Sequence, residues 1–110
     1  MSFQISISQR AKRDIREIVI WIKERSSKGA LTLLDAPEKT MRELQTRAVS
    51  CGPAPEADGF DVDLRQRLFK TRRGNTYRLV FILREDVVHI LAVRGTGQDR
   101  LQLGDIIFPD

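Results

Sequence analysis

The sequence is poor in the residues that build metal centres and disulfides. Cys51 is its single cysteine and His89 its single histidine, so neither an intrachain disulfide nor a thiolate metal cluster can form. No metal and no other cofactor is called for. Cys51 lies beside Gly52-Pro53 with no histidine near it in sequence; reactive cysteines need an activating environment, and this one reads as a bystander. No apolar run approaches the ~18 residues of a membrane span. The N-terminus, MSFQISISQRAKR, alternates and then turns basic, the wrong order for a secretory signal. A cytoplasmic protein without a membrane partner is the expectation. Internal repeats and low-complexity tracts are also missing, and 110 residues suffice for one core but not for two. A single domain over residues 1–110 follows.

What is abundant is positive charge, and it is localised. Leu64–Arg100 holds nine Lys/Arg against three Asp/Glu, a net of +6, whereas the remaining residues hold ten against twelve, a net of −2. A cationic patch confined to one structural unit is a footprint for a polyanion or an acidic peptide.

Phe3, Ile5 and Ile7 alternate with Ser2, Gln4, Ser6 and Ser8, the period of a half-buried strand. Ser8 then offers a helix N-cap. Ala11, Ile15, Ile18, Val19 and Ile22 recur at helical spacing among charged residues, which predicts an amphipathic helix over Gln9–Arg25. Trp21 extends its apolar stripe and reads as packed. A second helical stretch runs between about Gly29 and Val49. Pro37 interrupts it, yet Asp35 and Glu38 also read as an N-cap and capping-box partner. Either one kinked helix or two short ones satisfies that pattern. Cys51–Asp61, with two prolines and two glycines, is a loop.

Three strands follow: Leu64–Lys70, Thr76–Leu83 and Val87–Arg94. Their turns fall at Arg72–Asn75 and Arg84–Asp86, so they form an antiparallel meander. Tyr77, Leu79, Phe81 and Leu83 share one strand face, which should receive the helices in a two-layer α+β sandwich. Arg78 projects from the other face. Strict alternation groups Val88, Ile90, Ala92 and Arg94 together, with Arg94 at the strand end and free to reach outward. The tail's Ile106, Ile107 and Phe108 must pack on the domain or on a partner.

Arg78 is the unusual residue, a guanidinium in an apolar strand. It is either a structural salt bridge, to Asp61 or Asp63, or an anion contact for phosphate or carboxylate. Arg72 and Arg73 read as a solvated turn. His89, mid-strand among Val87, Val88, Ile90 and Leu91, reads as packed rather than catalytic.

The element order and the segments ISISQRAKRDIREIVIWI, Leu64-Arg65, Thr76–Phe81 (TYRLVF) and Val88–Arg94 (VHILAVR) together resemble the RelE/ParE superfamily of toxins from bacterial type II toxin–antitoxin modules. The resemblance spans essentially the whole chain. It implies a two-layer fold with an N-terminal strand, two helices and a basic meander. It also implies one of two activities: RelE-like members cut messenger RNA in the ribosomal A site, and ParE-like members poison DNA gyrase. RNA cleavage through the 2′-hydroxyl needs a base, an acid and positive charge at the phosphate. By resemblance Lys70, Arg78 and Arg94 would supply the charge, and Lys70 would also take part in proton transfer. Leu68 stands where another strand lysine is expected, no tyrosine or histidine follows His89, and Arg94–Arg100 offers only Asp99 as an acid or base. The ribonuclease set is incomplete, which favours a ParE-like binding toxin over a ribosome-dependent endoribonuclease. A non-toxic member binding nucleic acid or an acidic peptide is the third reading. Arg65, Lys70, Arg78 and Arg94 are the expected target-binding residues. The implied partner is an antitoxin with an acidic or amphipathic C-terminal segment, and the implied assembly is a homodimer or a toxin–antitoxin hetero-oligomer.

Overall fold

The structure, a computed structural model, describes residues 2–24, 27–57, 63–70, 76–95 and 106–109, of which 27–36 by their backbone. Strand β1 (Gln4–Ile7) leads into helix α1 (Gln9–Lys23), then α2 (Ser27–Arg47), β2 (Leu64–Lys70), β3 (Thr76–Arg84) and β4 (Val87–Gly95). Single 3₁₀ turns occupy Ala48–Ser50 and Pro55–Ala57. These bounds match the sequence expectations to within two residues, the margin by which helix and strand ends fray.

Local chemistry starts each element. Ser8 caps α1 as expected: its Oγ accepts from the Ala11 N–H at 3.0 Å. The same hydroxyl donates to the Leu91 carbonyl at 3.1 Å, tying the helix entrance to β4. Helix α2 runs through Pro37 without a break. The two-helix alternative is therefore not realised, and Asp35 lies inside a helix instead of capping one. Pro37, Thr40, Met41, Leu44 and Ala48 are all buried at helical spacing. Burial of that stripe outweighs the ~3 kcal/mol that an interior proline costs.

The sheet order is β1-β4-β3-β2. The predicted meander is antiparallel, and β1 joins it in parallel beside β4, Ile5 opposite Val88 and Ile7 opposite Ile90. The sheet is thus mixed. A two-residue turn, Glu85-Asp86, closes β3 on β4, with Glu85 at φ 57°, the left-handed first position that tight hairpins need.

Two apolar clusters flank the sheet. On one face Phe69, Tyr77, Leu79, Phe81, Val88, Ile90 and Val93 meet Ala11, Ile22, Met41, Leu44 and Ala48 of the helices. On the other, Leu64, Val80, Ile82, Leu91 and Ala92 are covered by Ala54 and Ala57 of the loop after α2 and by Ile106 of the tail, with Phe108 against them. This second cover explains why β3 is buried on both faces from Tyr77 to Ile82. Of Ile106, Ile107 and Phe108, Ile107 turns outward, 79% exposed.

Two expectations are overturned. Trp21 is 51% exposed beside Ile20 at 57%; it sits at the rim of the buried arc of α1, next to Asp14 in angle around the helix, and not under the sheet. The alternation of β4 also fails: Val80 pairs with Ala92, but Phe81 pairs with Ile90. Leu91 is the extra residue of a β-bulge. Val93 consequently packs under the helices, and Arg94 joins the opposite face. Among the described residues, no helix is long and apolar enough to cross a membrane.

Candidate functional site

The face opposite the helices gathers three of the four expected target-binding residues. In register, Leu68 lies opposite Arg78, Arg78 opposite Arg94, and Lys70 opposite Thr76. Directly opposed residues of an antiparallel pair share a face, so Lys70, Arg78 and Arg94 belong to one surface at the same end of the sheet. Lys70 and Leu68 are exposed there.

Arg78 is the buried member. Its Nη1 donates to Glu56 Oε1 at 2.7 Å, and its Nη2 donates to Glu56 Oε2. Gln66 Oε1 accepts a third, longer bond at 3.4 Å. Arg78 and Glu56 are only 8% and 3% exposed. The planar fork thus grips a carboxylate from the 3₁₀ turn Pro55–Ala57 in two-point geometry. The expected salt bridge exists, but its partner is Glu56. Asp63 pairs with Arg65, and Asp61 lies outside the described residues, as do Arg72, Arg73 and Asp99. The turn itself is fastened to the sheet edge: Ala54 N–H donates to the Leu64 carbonyl at 2.8 Å, and Gln66 N–H to the Gly52 carbonyl at 3.1 Å.

Arg65 stands apart from the other three. It points with Arg67 and Phe69 toward the helices, and its Nη1 donates to the Val49 carbonyl at 2.6 Å and the Ala48 carbonyl at 3.3 Å. A cation closing the carbonyl end of a helix is a stabilising arrangement. Arg67 pairs with Glu43 of α2 at 3.2 Å.

Two carboxylates escaped the sequence reading. Glu56 left no signal beyond its place in a proline-rich loop. Asp14 left one: it falls within the buried arc of α1, between Ala11 and Ile18. Its Oδ2 accepts from the Val93 N–H at 3.0 Å, and its Oδ1 from Arg10 Nε at 3.1 Å. Among the described residues no group of three His, Cys, Asp or Glu could hold a metal ion. His89 is half-buried opposite Ile82, away from the Arg78 end of the sheet.

The model of the family described as ParE toxin of type II toxin–antitoxin system, parDE, matches residues 5–100. The chain belongs to the ParE toxin family. It is also 36% identical over 56 residues to Toxin RelE1 of Caulobacter vibrioides, a match that covers 48% of this chain and 60% of that relative. The chain thus spans about 60% of that relative's length.

In this ParE-family chain Cys51 sits where its thiolate is disfavoured. Burial pushes its thiol above the ordinary 9.0, an effect that Arg67 and Arg65 oppose only in part. The thiolate is the attacking species, so Cys51 should alkylate more slowly at pH 7 than a free cysteine, with its rate still climbing above pH 9.0. Iodoacetamide kinetics across pH check this; a rate at pH 7 faster than the free amino acid's would contradict it.

Proposed function

We propose that the protein is a ParE-like growth inhibitor that binds a macromolecular target of the DNA gyrase class through Lys70 and Arg94, on the surface that the buried Arg78–Glu56 pair anchors. The Arg78–Glu56 pair carries this reading. A ribonuclease would need Arg78 to receive the scissile phosphate, but a buried carboxylate already fills its fork. Displacing it would strand a charge in a low-dielectric site. The family match over residues 5–100 supports the same side. A cognate antitoxin with an acidic or amphipathic C-terminal segment would neutralise the basic surface, folding as it docks, in the cytoplasm where both targets lie.

The likeness to a relative named Toxin RelE1 favours one second reading, a ribosome-dependent endoribonuclease using Lys70 and Arg94. Inducing the protein in bacteria without its antitoxin separates the two. Growth arrest with a DNA-damage response and intact messages is the expected result. Arrest with new RNA ends inside translated codons would establish the ribonuclease instead. Absence of arrest would leave a non-toxic member and defeat both.

A further inference from the structure

A regular β4 would carry Arg94 to the wrong side of the sheet. Without the extra residue, the pairing that sets Phe81 opposite Ile90 would continue with Val80 opposite Leu91 and end with Tyr77 opposite Arg94. Tyr77 faces the helices. Arg94 would then lie under α1, away from Arg78 and Lys70. The bulge at Leu91 reverses this, as bulges commonly do when they re-aim a side chain.

Two polar side chains of the α1 segment touch the backbone at that bulge and two residues beyond it. Ser8 Oγ donates to the Leu91 carbonyl, and Asp14 Oδ2 accepts from the Val93 N–H. Ser8 N–H also donates to the Ile90 carbonyl at 3.0 Å. Strand β1 ends at Ile7 opposite Ile90, so on that side the backbone of β4 beyond Ile90 has no strand to bond, and its buried groups need other partners. Asp14 is a carboxylate on an otherwise apolar helix face, buried to within 7% of full cover. Such a group is retained at a desolvation cost, and its bond to Val93 gives it a specific task.

We infer that Ser8 and Asp14 are positioning residues: from α1 they hold the β4 bulge that places Arg94 beside Arg78 and Lys70. This rests on the proposal that Lys70 and Arg94, beside the buried Arg78, form the working surface. The α1 segment is therefore part of the functional site without touching the target.

The test compares variants of the full chain by cross-strand NMR contacts and by growth arrest. Asp14→Asn keeps an acceptor for Val93 N–H. Asp14→Leu removes it. Ser8→Asp keeps the N-cap acceptor but cannot donate to the Leu91 carbonyl. The wild type and Asp14→Asn should show Arg78 opposite Arg94 and should arrest growth alike. Asp14→Leu should lose that pairing, or shift it to Tyr77 opposite Arg94, and lose arrest as fully as Arg94→Ala does. If Asp14→Leu fails to fold, Ser8→Asp reads the same pairing with the helix cap intact. Retention of the Arg78–Arg94 pairing in a folded Asp14→Leu or Ser8→Asp variant overturns the inference, since β3 and β4 would then hold the bulge alone. Undiminished arrest in Arg94→Ala overturns the working-surface proposal instead, and the pairing data still decide what holds the bulge.

Discussion

Glu56→Ala is expected to remove ~3–5 kcal/mol of stability, the usual result of deleting one partner from a buried ion pair. Urea denaturation of the full chain measures it. The reason is asymmetric. Arg78 is 8% exposed and cannot shed its proton, so loss of Glu56 leaves a full charge in the interior with Gln66 Oε1 at 3.4 Å in partial compensation. A domain of this size has ~5–15 kcal/mol in total, so the variant approaches the threshold of unfolding. Raising the salt should rescue little, because buried charges are screened far less than exposed ones. Replacing both partners, as in Glu56→Met with Arg78→Met, should recover most of the loss, since apolar side chains of similar volume often substitute for a buried pair at little cost. If Glu56→Ala unfolds within ~1 kcal/mol of the wild type, below the range for broken buried pairs, the pair is solvated in solution. Arg78→Ala strands the Glu56 carboxylate in the same way. Its loss of growth arrest would therefore report folding as much as target binding, and Lys70 and Arg94 are the better probes of function.

Legibility in the sequence followed the range of the interactions involved. Ser8 and the Ala11–Ile22 stripe are set by neighbours within a turn or two, and their pattern predicted α1. Tyr77, Leu79 and Phe81 announced the helix-facing side of β3, because the opposite parity carries Thr76 and Arg78. The failures lie where a distant contact overrides the local pattern. Pro37 reads as a breaker until the burial of Met41 and Leu44 is known. Arg94 changes face because of Leu91, and the groups touching that bulge come from residues 79 and 83 positions away in sequence. Arg78's partner lies 22 residues back in a loop whose path only the fold defines. Arg65 was nearer to legible. It shares parity with Phe69 on β2, and a core-facing Phe69 already turns Arg65 toward the helices and away from Lys70.

Placement of the charges on one face leads to the second large effect. Lys70→Glu combined with Arg94→Gln lowers the charge of that face by three and should slow association with the target by about 10–10³-fold at low ionic strength, the span over which electrostatic steering acts. Growth arrest should disappear at expression levels where the wild type stops division. A matched control separates local from global charge. Lys12→Glu with Arg13→Gln removes the same three charges from exposed positions on α1, across the molecule from the Arg78 face. Steering by one face predicts that this control still arrests growth, and that the two doubles converge in association rate as salt shortens the Debye length to ~3 Å near 1 M. Equal impairment of both doubles at low salt would mean that the net charge of +4, and not the surface built by β2, β3 and the β4 bulge, attracts the target. Lys70 is exposed at the end of β2, where surface substitutions ordinarily shift stability by under ~0.5 kcal/mol. A loss of arrest in the Lys70→Glu single variant, with its urea midpoint unchanged, therefore assigns the effect to recognition and not to folding.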